Sequence, residues 1–309
     1  MTVENSKRIL FIINPVSGVG KKKVMERLIA GRFGNDPDVS VVFTGHPGHA
    51  TEISRRAASD GVDIVVAVGG DGTVNEVASG LVGTQTAMAI LPAGSGNGLA
   101  RHLKIPMNPR RALELISERP VRTIDTAEID GQLFVNVAGI GFDAAIAKKF
   151  AAAGKRGFST YFRVTADTYK NYRSKKYILT IDGKIIRRRA LMVSFANSSQ
   201  FGNNASIDPA ASVSDGFIDV CIVGKMPLHK VAFLAPLLFM GKFDKTRYVE
   251  IIRAREVLVK RKKGKTIHLD GDPKTIGREF TVKIHPLSLR VVAPPKTGTG
   301  GLADQPEKL

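Results

Sequence analysis

The chain has 309 residues, 43% of them hydrophobic, with 46 Lys and Arg against 28 Asp and Glu, a formal net charge of +18 and a sequence pI of about 10.1. That length is enough for a large core and reads more naturally as two domains than as one. The single cysteine, Cys221, excludes an intrachain disulfide and a Cys-based zinc site, and it fits a reducing, cytoplasmic compartment.

Residues 1–8 are charged and lead into a short strand, so no secretory leader is read there. Residues 8–13 form a buried-strand pattern that ends in Asn14-Pro15-Val16-Ser17-Gly18-Val19-Gly20, a polar, Gly-rich turn before a helix starting near Lys21. The Walker spacing is absent. A second strand, residues 39–43, runs into Thr44-Gly45-His46-Pro47-Gly48-His49-Ala50. A third, residues 64–68, stops abruptly at Gly69-Gly70-Asp71-Gly72-Thr73 and gives way to helical spacing through Asn75-Glu76. A fourth, residues 87–91, enters Pro92-Ala93-Gly94-Ser95-Gly96-Asn97-Gly98. Glycines without Cβ let a phosphate approach backbone N–H groups, and a helix start favours anions, so these loops point to a nucleotide triphosphate. Strand and helix patterns alternate to about residue 116, as in an open, doubly wound α/β sheet.

Near Val121 the pattern changes. Residues 122–129 and 132–137 read as strands joined by Asp130-Gly131, and residues 176–181 and 184–190 repeat this around Asp182-Gly183. Further strands are read at 191–196, 216–223, 248–252, 256–260, 266–269 and 279–285, with helices at 161–173 and 228–239. This is a β-rich second domain, most simply a sandwich. Cys221 lies in one of its apolar runs and reads as a small core residue. The apolar run 231–240 is too short to cross a bilayer, which needs about 20 residues. A core helix is its first reading and a membrane-lying helix its second. From Pro294 onward no apolar period remains, and a mobile tail is expected.

The positive charge gathers in the second half, at Lys155, Arg156, Arg163, Lys170, Arg173, Lys175 and Lys176, then Arg187 to Arg189, then Lys260 to Lys263 with Lys265. Solvated strand edges are one reading. No zinc finger, RNA-binding aromatic signature or basic zipper accompanies the charge, so no nucleic acid is expected as a partner. An anionic membrane surface is the third reading, where each basic residue contributes about 1 kcal/mol.

The four loops together resemble the diacylglycerol kinase catalytic family, which includes bacterial lipid kinases and sphingosine and ceramide kinases. NAD kinases and phosphofructokinases carry a similar Gly-Gly-Asp-Gly element, but the combination of loops is specific. The resemblance runs from about Lys7 to about Val292 and implies an α/β chain of two domains. An N-terminal doubly wound nucleotide-binding domain would span residues 1–121, with a final strand at about 289–294 returning to it. A C-terminal β-sandwich would span 122–288, followed by the tail at 295–309.

By the same resemblance ATP and magnesium are the cofactors and a lipid hydroxyl is the acceptor, with the enzyme peripheral to a membrane. Asn14, Thr44, Gly69, Gly70, Gly72, Thr73, Asn75 and Ser95 would contact ATP, with Lys155 or Arg156 reaching its phosphates. Asp71 and the segment Asp270-Gly271-Asp272 would supply catalytic carboxylates, although this chain has Asp272 where the family has Glu. Spacing alone reads Asp270-Gly271 as a hairpin turn, and the choice between Asp270 and Asp272 stays open. Asp215, with Ser212 and Phe217, matches a structural magnesium segment, for which a turn is the plain alternative. Asp143 matches a carboxylate that faces the lipid head group in sphingoid-base kinases. Gly94-Ser95-Gly96-Asn97-Gly98 is closer to the sphingosine and ceramide version than to the bacterial Gly-Thr-x-Asn-Asp, so diacylglycerol and a sphingoid base both stay open. An NAD kinase-like phosphotransferase and a non-catalytic membrane- or nucleic-acid-binding protein are the alternatives. His46 and His49 share a loop without a third ligand in view, and no transition metal is assigned.

Overall fold

The computed structural model describes residues 7–17, 22–153, 158–202 and 204–295. Its first half alternates β1 (Ile9–Ile13), α1 (Lys22–Phe33), β2 (Val39–Phe43), α2 (His49–Ser59), β3 (Ile64–Gly69), α3 (Asp71–Leu81), β4 (Ala87–Pro92), α4 (Gly98–His102) and α5 (Pro109–Glu118). β1, β3 and β4 are buried at every position. A parallel sheet covered on both faces leaves no wet side, which is why these strands read as unbroken apolar runs. The parallel order is β2-β1-β3-β4, flanked by α1 packed with α5 and by α2 packed with α3. The order reverses at β1, so the loops after β1 and β3 diverge and open a crevice at their C-terminal ends.

The second half contains β5 (Val121–Ile129), β6 (Gln132–Phe134), β7 (Val137–Gly141), α6 (Phe142–Ala152), α7 (Phe158–Asn171), β8 (Lys175–Ile181), β9 (Lys184–Ala190), β10 (Met192–Ala196), β11 (Gln200–Gly202) and β12 (Ala205–Ser206). β13 (Ile218–Val223), α8 (Leu228–Leu234), α9 (Pro236–Phe239), β14 (Val249–Ala254), β15 (Glu256–Arg261), β16 (Thr266–Leu269), β17 (Asp272–Thr275) and β18 (Glu279–Val292) follow. A six-stranded sheet, β14-β13-β10-β7-β16-β17, stacks on a layer made by β18, β15, β8 and β9 with β5 and β6. Side chains such as Phe134, Tyr177, Phe195 and Phe280 fill the space between them. This is the expected sandwich.

The same sheet serves both halves. β18 pairs antiparallel with β15 through Glu279 to Lys283, and its end runs parallel to β4 at Val291 and Met88. β5 pairs with it antiparallel from Val282 to Val292, with an irregularity between His285 and Leu289 where Leu287 takes φ 46°. The segments 279–285 and 289–292 read from sequence are therefore one strand with a bulge.

Two expected elements differ. The strand read at 132–137 splits into β6 and β7, because the amides of Val135 and Asn136 turn away from the ladder to a buried side chain described below. The helix read at 228–239 is not a core helix. It breaks at Pro236, which lacks an N–H and clashes with the preceding turn, and neither α8 nor α9 has a buried residue. Val231, Leu234, Leu237 and Leu238 rest against the outer face of the six-stranded sheet, while Leu228, Phe233 and Met240 face outward. Among the described residues no helix is long and apolar enough to cross a membrane. Residues 296–309 of the expected tail lie outside the described residues.

Candidate active site

The loops after β1 to β4 meet at one end of the parallel sheet. Asn14 leaves β1 with its N–H donating to Val68 O of β3 (3.1 Å), and its Nδ2 donates to Thr73 Oγ1 (3.1 Å). Thr44 N donates to Ile13 O (3.0 Å), which holds the end of β2 beside the same crevice. Gly70 and Gly94 touch backbone to backbone: a Cβ on Gly94 would lie 2.5 Å from Gly70 Cα. A Cβ on Gly69 would meet Thr73 Oγ1 at 2.4 Å, whereas one on Gly72 would meet nothing within 4 Å. Two glycines are thus needed for packing, and the third leaves its side open to a ligand. Ser95 is exposed at the tip of the β4–α4 loop.

Glu76, not assigned a role from sequence, holds the neighbouring loop. Its carboxylate accepts from Gly48 N (2.9 Å) and Ala50 N (3.2 Å) at the start of α2, where a negative charge meets unpaired amides.

Asp71 opens α3, and its oxygens accept from Asn97 N (2.9 Å) and Gly98 N (2.7 Å), tying the third loop to the fourth. Asp270 stands opposite in the second half. Asp270 and Gly271 have φ of 49° and 88° and join β16 to β17 as a two-residue turn, as Asp130-Gly131 and Asp182-Gly183 do in their hairpins. The Asp270 carboxylate is distinct in being buried and accepting four hydrogen bonds, from Val135 N (3.0 Å), Asn136 N (2.9 Å), Val137 N (3.0 Å) and Asn75 Nδ2 (2.8 Å). Burial raises the pKa of Asp71 and of Asp270 above the ordinary carboxylate value; their hydrogen bonds oppose this, and the charge of Asp71 adds to the rise at Asp270. Asn75 Nδ2 also donates to Leu133 O (2.9 Å), so both of its N–H donors cross to the second half. Asp272 is different again: it is exposed, and its Oδ2 pairs with Lys274 Nζ at 2.6 Å.

Asp143 lies under the same hairpin. Its Oδ2 accepts from Ser194 Oγ (2.9 Å) and lies 3.3 Å from His268 Nε2, and its Oδ1 accepts from Ala144 N (2.8 Å). A Cβ on Gly139 would sit 2.0 Å from Asp143 Oδ2, so only glycine leaves this room. His268 Nδ1 accepts from Gly271 N (3.3 Å), which puts the proton of the neutral ring on Nε2, facing Asp143. His268 therefore connects the Asp270-Gly271 turn to Asp143. Sequence gave no sign of this, since His268 sits in a strand between Ile267 and Leu269 like any interior residue.

The family description "Diacylglycerol kinase catalytic domain" matches residues 8–129, and "YegS C-terminal NAD kinase beta sandwich-like domain" matches residues 136–293, half of the chain. The chain belongs to the diacylglycerol kinase catalytic family. A Bacillus subtilis protein named "Diacylglycerol kinase" is 26% identical over 276 residues, covering 86% of this chain and 90% of its own. A Pseudomonas aeruginosa protein named "Probable lipid kinase YegS-like" is 30% identical over 261 residues, covering 83% and 85%. The structure of a diacylglycerol kinase from Bacillus anthracis shares the fold with a TM-score of 0.73 and 22% identity over 94% of this chain and 97% of that one. An Archaeoglobus fulgidus NAD kinase in complex with ATP shares it more loosely, with a TM-score of 0.51 and 14% identity over 92% and 93%.

In this member of the family the remaining candidates fall elsewhere. Lys155 and Arg156 lie outside the described residues. Asp215 sits before β13, where its Oδ1 accepts from Phe217 N (3.1 Å) and its Oδ2 pairs with Arg253, while Ser212 Oγ faces Ser214 Oγ. With its Oδ2 paired to a guanidinium, Asp215 in this arrangement does not fit as a magnesium ligand. Next to it, Asp219 has its pKa pushed up to about 7 by burial and by the adjacent Asp208. His46 and His49 do gain a third group, since Glu52 brings their ligand atoms within 4.8 Å of one another. His49 Nδ1 accepts from Gly45 N (2.9 Å), however, so its neutral ring carries the proton on Nε2 and has no lone pair to give.

Proposed function

We propose that this protein is an ATP-dependent lipid kinase that phosphorylates a hydroxyl of diacylglycerol or of a sphingoid long-chain base. The observation that carries this reading is the Asn75–Asp270 contact, which sets the glycine loops of one half against the hairpin and the Asp143–His268 pair of the other. Phosphoryl transfer asks a protein mainly to position two substrates and offset negative charge, and this arrangement suits that task.

The backbone amides after β3 and β4 hold the phosphates, with Asn14, Thr44, Gly72, Thr73 and Ser95 around the nucleotide. A magnesium ion carried by the triphosphate would supply charge neutralisation at its oxygens. Asp71 and Asp270, whose oxygens are taken up by amide protons, fix the loops and the hairpin. Asp143 orients the head group. The lipid oxygen bonds to the γ-phosphorus as the bond from that phosphorus to the bridging oxygen breaks. ADP leaves, and the hydroxyl proton passes to Asp272, whose oxygens are free of backbone amides among the described residues.

The outward face of α8 and α9 supports peripheral attachment to an anionic membrane. Leu228, Phe233 and Met240 are 61%, 80% and 59% exposed. Between Gly224 and Tyr248 five Lys and Arg residues accompany one carboxylate, Asp244. Apolar anchors beside basic residues are the combination that holds a protein at an anionic surface.

Incubation with labelled ATP, magnesium and vesicles bearing single lipids tests the reading. Transfer of label to diacylglycerol or to a long-chain base is expected, and which of them is labelled faster identifies the acceptor. Labelling of NAD with none of any lipid overturns the reading in favour of an NAD kinase.

A further inference from the structure

A cavity of about 360 Å³ opens between α6 and the ends of β8, β15 and β16, away from the glycine loops. Its rim and walls carry Lys148, Lys149, Lys175, Arg261 and Lys263, and among the described residues no carboxylate lines it. β7 separates it from the hairpin: Val137 bonds Asp270, whereas Gly141 lines the cavity, about 13 Å further along the strand at its usual rise.

Arg261 is the informative residue. It is only 6% exposed and has no carboxylate partner among the described residues. Nη1 and Nη2 donate to the carbonyls of Thr266 (2.9 Å) and Gly277 (3.1 Å), and the guanidinium lies 5.2 Å from the centre of the Phe280 ring. Its Nε is buried and has no hydrogen-bond partner among the described residues. Lys175 is half-buried beside it, and burial together with Arg261 lowers the pKa of Lys175. Withdrawn cations without a counter-charge are costly, and an anion that enters offsets that cost.

We infer that this cavity binds a phosphate group, carried either by an anionic phospholipid or by a soluble phosphate. Phosphate oxygens match a guanidinium and several ammonium groups converging from different elements. The volume admits the phosphate with a short organic attachment against Tyr177 and the small residues of α6. The site lies away from the glycine loops and at the far end of β7 from the Asp270 hairpin.

The test compares the full chain with Lys149→Glu/Lys263→Glu, two exposed positions, and with Lys175→Met, which removes charge without reversing it. Lys184→Glu/Arg187→Glu on the exposed β9 is the control of equal charge change. Inorganic phosphate is titrated calorimetrically with ADP saturating the nucleotide loops, and phosphatidylcholine vesicles with and without phosphatidylglycerol are used in sedimentation. The expected result is a loss of at least tenfold in affinity in both cavity variants and not in the control. A loss confined to inorganic phosphate assigns a soluble ligand, and one confined to phosphatidylglycerol assigns a lipid head group. Cavity variants that match the control within twofold in both arms overturn the inference.

Discussion

Asn75 Nδ2 donates to Asp270 Oδ2 at 2.8 Å, joining residues 195 positions apart and linking the helix of the glycine loop to the hairpin of the sandwich. Asp270 in turn gathers the amides of Val135, Asn136 and Val137, the segment where the chain leaves β6 for β7. A negative charge with four donors makes this carboxylate an anchor for the relation between the two halves. Replacing it with Asn offers a donor to amides that are already donors. Because hydrogen bonds to a charged group contribute about 1.5–3 kcal/mol each, Asp270→Asn is expected to destabilise the fold by roughly 3 kcal/mol. Urea unfolding followed by circular dichroism measures this. An unchanged midpoint would show that the carboxylate holds nothing.

Gly94 in the β4–α4 loop and Gly72 in the first turn of α3 differ in what they permit. Gly94→Ala pushes a methyl into Gly70, and overpacking of this kind costs about 1–3 kcal/mol. The loops must then part, so both stability and ATP affinity are expected to fall. Gly72→Ala has open space, so stability should stay within about 0.5 kcal/mol of wild type. Only ATP affinity should fall there, because in the proposed reading the methyl occupies the side from which a phosphate approaches. Paired unfolding and nucleotide titrations separate the two outcomes, and normal ATP binding by Gly72→Ala removes that glycine from the nucleotide site.

These contrasts show where sequence is informative. An apolar run stopping at paired glycines announces a strand end and a phosphate loop locally, because burial on both faces and the need for absent Cβ atoms are written in neighbouring residues. Asp270-Gly271 carries no such mark, since its turn is the same as those at Asp130 and Asp182. What separates the three is the partner of the carboxylate: Asp130 accepts from Thr281 N, Asp182 from Arg255 N and Glu256 N, and Asp270 from across the interface. His268, Ser194 and Glu76 are equally silent, because their roles come from contacts between distant segments. The outward face of α8 and α9 is ambiguous in sequence because buried and surface-lying helices share one apolar period.

Asp219 predicts a pH dependence. Its pKa rises from 3.8 to about 7, first through burial and then through Asp208, so the native state binds this proton more tightly than the unfolded chain. Stability from this group is fully present below the unfolded value and is lost as pH rises through about 7. Asp219→Asn removes a penalty that, at about 1.4 kcal/mol per pKa unit, comes to a few kcal/mol at most, and it should be more stable than wild type at pH 8, an advantage that shrinks toward pH 4. Denaturant midpoints at the two pH values give the sign. An advantage larger at pH 4 would contradict it.

Phe233 tests attachment. Burying such a side chain contributes about 1.5–3 kcal/mol, so Phe233→Asp should weaken partition onto phosphatidylglycerol vesicles by roughly 10- to 100-fold. The residue rests on the surface of α8, and the unfolding midpoint should not move. Activity toward a short-chain acceptor dissolved in detergent should also be retained, which separates attachment from chemistry. Equal vesicle binding by the variant would show that α8 and α9 do not touch the bilayer.

In the proposed reading Asp272 takes the proton of the acceptor hydroxyl. It follows the Asp270-Gly271 turn, is exposed, and faces Lys274 rather than backbone amides. A general base contributes typically about 10²–10⁴ in rate, so Asp272→Asn should lower turnover by that order. The glycine loops are untouched, so the KM for ATP should change by less than about threefold, since a uniform-binding loss would raise KM instead. Asp272→Glu lengthens the side chain by one methylene and keeps the carboxylate, so it should recover much of the activity. If turnover in Asp272→Asn equals wild type, the proton leaves by another route, and Asp71 and Asp270 become the carboxylates to examine through their own pH profiles.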